Sequence, residues 1–317
     1  MLARNAENLY WLARYVERAD YIARMIDASL RLSSLPKAYG DESNEWSSTL
    51  AAAGVLEDFK SRYDEPEQSS VIRYLAFDAE NSSSIRSCIQ SARRNARAVR
   101  TALTVEMWEA INGAWIEVQR LEQTNRLGES LEQLTSFLDM VKQAARDFDG
   151  SAYRTMLRND AYYFGRLGLY IERADNTARV LDVKYHLLLP TDEQVGGSLD
   201  YFQWASILRS VSAFTAYNWV YRESIKPWLV ADLLVLRAEM PRSLVSCYEN
   251  LTRFLDALAR DYGKQGPAQR HCRMICDKLR NQTREQIFQT GLHEYIGEFI
   301  DQNNKLGAMV AVQYMPQ

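Results

Sequence analysis

The chain is poor in residues that break helices. Its 317 residues include only 14 glycines and 7 prolines, too few for the turns of a sandwich or barrel of many short strands. Cysteine is scarce too: Cys88, Cys247, Cys272 and Cys276 show no framework spacing. That excludes a disulfide scaffold and points to reduced thiols. No apolar run approaches the roughly 18 residues of a membrane span. The opening MLARNAENLYW carries charge and no long apolar core, so it is not a secretory signal. A formal net charge of −3 gives no global pull toward nucleic acid or an anionic membrane. A cytoplasmic protein with neither partner is expected.

Chemical motifs are also missing. There is no GxxxxGK[ST], and no GxGxxG follows a strand pattern, which excludes the usual phosphate loops. His293-Glu294 lacks the second histidine of HExxH. The three histidines, His186, His271 and His293, do not supply the Glu-x-x-His of a di-iron bundle. His271-Cys272-x-x-x-Cys276 has no evident fourth ligand. No metal or cofactor is expected.

What the chain does have is abundant Ala, Leu, Arg and Glu, all helix formers, and a long sequence repeat. Residues 9–27 (LYWLARYVERADYIARMID) return as residues 164–182 (FGRLGLYIERADNTARVLD), 155 positions later. The pairs Leu12/Leu167, Tyr15/Tyr170, Glu17/Glu172, Arg18/Arg173, Ala19/Ala174, Asp20/Asp175, Ala23/Ala178, Arg24/Arg179 and Asp27/Asp182 are identical. A second match, offset by 159, lays Ser84, Ser87 and Cys88 over Ser243, Ser246 and Cys247. The expected fold is all-α: an internally duplicated multi-helix bundle of two pseudo-symmetric halves, about 1–150 and 151–317, packed as one domain.

Helical periodicity predicts the elements. One helix ends near Leu32, and 37–48 reads as a polar loop. A helix follows over about 47–62, then a turn at 64–70. A long helix begins after Asn81 and runs to about 115. Gly128 reads as a break before the run 131–148, and Asp149-Gly150 as the turn closing the first half. In the second half the pattern predicts one helix over 153–189, a loop at 191–198 and a helix over 199–221. A short apolar element covers 228–237, and Met240-Pro241 opens another helix. The last two span 268–280 and 285–312. The aromatic groups, Trp219 among them, read as mostly core; Trp228 beside Pro227 suits an interface.

On the first repeated helix Trp11, Leu12, Tyr15, Ala19, Ile22, Ala23 and Ile26 share one side. Glu17, Asp20, Arg24 and Asp27 share the other, with Arg14 flanking and Arg18 at the boundary. Ion pairs at this spacing add only about 0.2–0.5 kcal/mol each on a solvated helix. Between copies, however, apolar positions change (Ile22 to Thr177, Met25 to Val180) while the charges stay. That suggests charges buried between the halves and paired across them. Glu17 and Glu172 are therefore the acid/base candidates. Arg18, Asp20, Arg24, Arg173, Asp175 and Arg179 are pocket candidates. A purely structural pairing remains the alternative.

A second feature is an arginine stripe. Residues 81–105 hold five arginines and no acid. Arg86, Arg93, Arg97 and Arg100 fall within about 60° on a helix, with Arg94 to one side. Guanidinium forks suit carboxylates and phosphates. The stripe and the helix start Arg242-Ser243 are candidates for an anion, an acidic protein surface or the protein's own carboxylates. Only Arg253 matches the stripe in the second copy.

Taken together, MLARNAENLYWLARYVERAD, YFGRLGLYIERADNTARVLDVKYH, SARRNARAVRTALTVEMWEAIN and VADLLVLRAEMPRSL resemble the bacterial alpha-E family over essentially the whole chain. Its Glu-Arg motif falls on Glu17-Arg18 and Glu172-Arg173, its Asn-Ala-Arg motif on Asn95-Ala96-Arg97, and its Pro-Arg-Ser motif on Pro241-Arg242-Ser243. Ser82 stands where the family often has proline, and Ser also suits a helix start. The resemblance implies an all-helical protein associated with circularly permuted ATP-grasp proteins. It would be a partner or co-catalytic subunit of an amidoligase making or modifying peptide amide bonds, with a peptide as a further partner. The alternatives are a structural interaction protein without catalysis, and a stand-alone enzyme using Glu-Arg pairs as acid/base and anion clamp.

Overall fold

A computed structural model of the chain describes residues 1–34, 42–123, 130–186 and 198–315, and those residues form helices and turns without a strand. Two long helices sit at the centre, α1 (Ala3–Ser33) and α8 (Asp160–His186). They run side by side in the same direction: Tyr10 meets Gly168, Arg14 and Arg18 meet Glu172, and Glu17 meets Arg173. Gly168 permits this approach. A Cβ there would lie 2.1 Å from the Tyr10 carbonyl oxygen, so any other residue would push the helices apart.

Around this pair the other helices form two groups. On α1 pack α5 (Ile85–Ala98), α7 (Leu131–Thr155) and α9 (Ser198–Ser210); α6 (Val105–Gln123) lies against α5 and α7. On α8 pack α12 (Leu244–Asp261), α15 (Leu292–Tyr314) and α2 (Glu42–Ala52), with α13 (Pro267–Asn281) against α12 and α15. Asn303 ties three of these together, donating to the Ile171 carbonyl and accepting from the Tyr248 hydroxyl. The short helices α3 (Leu56–Lys60), α4 (Gln68–Ala76), α10 (Phe214–Tyr221), α11 (Pro227–Ala231) and α14 (Arg284–Thr290) complete the described chain. No described helix is long and apolar enough to cross a membrane.

Several expected boundaries move. Residues 42–48 are helical rather than a polar loop, and the rest of that loop lies outside the described residues. The helix expected over 47–62 splits at Gly54, whose φ of 70° is left-handed. The long helix expected from 81 to 115 breaks at a 3₁₀ turn, Arg100–Ala102. Asp149 and Gly150 form no turn: they lie inside α7, and the chain turns at 156–159 instead. An isolated glycine costs a helix only about 1 kcal/mol, which packing against α1 offsets. Ser212, at φ 57°, divides α9 from α10. A five-residue π turn, Asp232–Leu236, follows α11, and Gly291 separates α14 from α15. Pro241 precedes rather than opens α12, because Ser243 is the N-cap. The expected Gly128 break and most of the 191–198 loop lie outside the described residues.

The charged side of α1 is not a solvated face. Glu17 and Asp20 are buried along with Leu12, Ile22 and Ile26. A helix enclosed by neighbours on every side must bury whatever its sequence presents. Here the buried charges are matched by partners from α8 and from the turn before α12.

Candidate functional site

The repeated Glu-Arg elements meet by crossing over. Arg173 grips Glu17 with two hydrogen bonds, Nε to Oε1 at 3.2 Å and Nη2 to Oε2 at 2.9 Å. Arg18 grips Glu172 in the same manner, Nε to Oε1 at 2.5 Å and Nη2 to Oε2 at 3.2 Å. Such bidentate forks are the strongest common carboxylate contacts. Each glutamate then receives a second arginine. For Glu17 it is Arg242, Nη1 to Oε1 at 2.5 Å; for Glu172 it is Arg14, Nε to Oε2 at 2.7 Å.

Both carboxylates are nearly sealed, Glu17 at 5% and Glu172 at 2% exposure. Burial pushes their pKa values up, but the paired arginines outweigh it and hold each at about 2. An acid/base catalyst near neutral pH needs the opposite displacement. The guanidiniums respond in kind: burial pulls Arg173 down, and Glu17 more than restores it, so its pKa is raised.

The remaining candidates extend the two clusters. Arg242 Nη2 also reaches Asp20 Oδ2 at 2.9 Å, and Arg24 Nε donates to the same oxygen at 2.8 Å. Arg24 Nη1 goes on to Ser212 Oγ at 2.7 Å. On the other side, Arg179 Nε donates to Asp175 Oδ2 at 2.7 Å, and Arg18 Nη1 to Ser83 Oγ at 3.4 Å. The Glu17 and Glu172 clusters share no residue, hydrogen bond or ion pair among the described residues. They are two charge networks on one helix seam, not one paired pocket.

Two turns frame the seam. Ser84 and Ser243 cap α5 and α12 by accepting from the Ser87 and Ser246 amides. Each also donates backward, to the Asp78 and Arg237 carbonyls, at 2.6 Å. Ser243 is thus fully buried and a cap, not an anion contact. Arg242, grouped with the arginine stripe in the sequence, belongs to the Glu17 network. Cys88 and Cys247 lie one turn into their helices, and burial pushes both thiols up to about 12, so neither is a ready nucleophile.

The stripe divides. Arg86 pairs with Glu122 on α6, Arg93 Nε donates to Asn112 Oδ1 at 2.9 Å, and Arg100 lies 5.4 Å from the Trp108 ring centroid. None of the three touches Glu17 or Glu172. Arg94 and Arg97 are exposed, with no ion pair among the described residues. Trp219, expected in the core, is 77% exposed, and Trp228, nine residues on, is half-exposed, with the Lys226 ammonium 5.6 Å from its ring centroid.

Clefts lie away from the glutamates. One of about 280 Å³ is lined by Phe59, Lys60, Tyr63, Asp64 and Glu65. A narrow apolar one, between α1, α7 and α8, reaches Asp149 and Arg166. Neither is lined by Glu17 or Glu172.

The sequence reading missed three contributors. Arg14 was only a flanking residue, since Leu169 replaces it in the second copy. Asp149, 3.9 Å from Arg173 and paired with Arg166, sits in a helix read as ending there. Ser212 carried no signal at all, since it falls inside the single helix expected over 199–221.

No curated protein and no solved structure matches the chain. A family model does, over residues 1–315: Alpha-E, described as a predicted alpha-helical domain with a conserved ER motif. The chain belongs to the Alpha-E family.

Proposed function

We propose that the chain is the helical partner subunit of an ATP-grasp-type amidoligase, acting in peptide amide-bond formation or modification. One observation carries the choice over a stand-alone enzyme. Glu17 and Glu172, the acid/base candidates, are each held by two arginines with pKa values near 2. A carboxylate so saturated has no proton to give at neutral pH and little basicity. The family resemblance supplies the ligase side of the reading.

Docking would fall to groups on the surface. Arg94 and Arg97 on α5 suit an acidic partner face. Trp219, Val220 and Trp228 are exposed large apolar side chains of the kind enriched at interfaces. Co-purification with the permuted ATP-grasp protein tests the reading. A stable complex weakened by Arg94→Glu with Arg97→Glu supports it. No complex, and no effect of the chain on ligase turnover, would overturn it. A structural interaction protein is the second reading, favoured by the same saturated carboxylates. In that case a folded Glu17→Gln protein leaves product formation intact.

The internal duplication belongs to this reading as well. It is supported by the crossed pairs Arg18–Glu172 and Arg173–Glu17 and by the matching double bonds of Ser84 and Ser243. Co-expression of 1–158 with 159–317 tests it: halves that associate into a helical complex support it, and halves that never associate count against it.

A further inference from the structure

The Glu17 network has an unbalanced charge. Its groups alternate as Arg173–Glu17–Arg242–Asp20–Arg24. The ladder starts and ends on a cation, so three guanidiniums face two carboxylates. The adjacent Arg166–Asp149 pair is neutral and leaves the excess in place.

The ladder also has open valences. Arg173 Nη1, Arg242 Nε and Arg24 Nη2 have no acceptor among the described residues, and their side chains are 11%, 13% and 16% exposed. Asp20 is 3% exposed, yet its Oδ1 is buried without a hydrogen-bond donor among the described residues. A buried carboxylate oxygen left unpaired is costly. At the outer end, Arg24 is held by Ser212, an exposed non-glycine residue in left-handed backbone. Such strain persists where surrounding contacts enforce it and recurs at binding sites. The α12 helix, 18 residues long, begins one residue after Ser243 caps it beside Arg242, and its amino end favours negative charge.

These requirements select a ligand. It must bring negative charge to the arginines and a hydrogen to Asp20 Oδ1. A carboxylate and a sulfate offer only acceptors. A phosphate monoanion offers both: its last proton leaves around pH 6, and a hydrogen bond to Asp20 Oδ1 holds that proton in the site. We propose that this ladder is a binding site for a phosphate group, with arginines taking its oxygens and Asp20 Oδ1 accepting its P–O–H hydrogen. Arg24, at the outer end, swings aside to admit it. The inference rests on this cluster alone, so it stands or falls separately from the ligase-partner reading.

The test is calorimetry on the full chain at about pH 6, where the phosphate monoanion is well populated, and at constant ionic strength. Inorganic phosphate, ADP and phosphoserine are titrated in turn, with sodium sulfate as the control. Their ranking says whether the group arrives free, on a nucleotide or on a peptide hydroxyl. Saturable binding of at least one, roughly tenfold or more tighter than sulfate, is expected. Arg24→Gln should weaken it about tenfold, and Asp20→Asn should erase the preference over sulfate. If Asp20→Asn does not fold by circular dichroism, Arg24→Gln and the sulfate control on the unmodified chain still decide. Sulfate binding as tightly as phosphate, no binding of any phosphate ligand, or an unchanged affinity in Arg24→Gln would overturn the proposal.

Discussion

The Glu17 and Glu172 clusters reach one electrostatic result by different routes. Both carboxylates are buried and both carry two guanidiniums. At Glu172 the two come from a single helix, Arg14 and Arg18 one turn apart on α1. At Glu17 they come from separate segments, Arg173 on α8 and Arg242 in the turn before α12. Arg242 goes on to Asp20, one turn further along α1. The first is a local clamp between two helices. The second fastens α12 to the seam, helped by Thr177 Oγ1 donating to the Arg242 carbonyl at 2.8 Å. What must be met is the demand of a buried charge for partners; where they originate is open.

The largest effect should come from removing the carboxylates. Glu17→Ala leaves Arg173 and Arg242 without it, and Glu172→Ala strands Arg14 and Arg18. Each should cost about 3–5 kcal/mol, measured by urea unfolding. Because Arg242 keeps Asp20 while Arg14 and Arg18 keep no carboxylate, Glu172→Ala should cost more. The reverse order would break the comparison.

Acid should separate the clusters next. Both glutamates are held at about 2 in the folded protein, below the ordinary value near 4.3. A depressed carboxylate contributes stability that is complete above the unfolded pKa and lost as pH falls through the folded one. Stability should therefore decline between about pH 4.5 and 2, by roughly 3 kcal/mol for each glutamate. Urea midpoints across that range check it. Glu172→Gln should remove about half of the decline, and an unchanged slope would show that other groups carry it.

Arginine truncation should be smaller and uneven. Arg242→Met should cost about 2–3 kcal/mol, since Glu17 and Asp20 each lose a charge-assisted bond. Arg14→Met should cost about 1–2 kcal/mol, since Arg18 keeps its fork on Glu172. Hydrogen exchange sharpens the contrast: Arg242→Met should loosen the first turn of α12, while Arg14→Met should leave the start of α5 protected. The smallest effect is expected away from both clusters. Arg94→Ala with Arg97→Ala should change stability by no more than about 0.5 kcal/mol, so any loss of ligase capture would report docking rather than unfolding.

Much of this was legible in the chain. Paucity of Gly and Pro with helical periodicity indicated an all-α fold, and the fixed charges of residues 17–27 and 172–182 indicated paired, buried groups. Breaks within long helical runs were not legible. Gly54 and Gly291 take left-handed or extended turns, whereas Gly150 and Gly168 stay helical, and the one-dimensional pattern does not distinguish them. Trp219 shows the same limit, since an aromatic side chain reads as core until its neighbours are known.

By itself the sequence determined the helices, because period and composition act within a few residues of chain. It also determined which charges recur, because a repeat is visible without a fold. Only the tertiary structure decided which arginine meets which glutamate. Arg18 lies beside Glu17 in sequence yet binds Glu172, because neighbouring side chains on a helix point about 100° apart. Only the tertiary structure, too, brought Arg242 from 225 residues away onto Glu17, and gave Asp20 one oxygen with two guanidinium partners and one with no donor among the described residues.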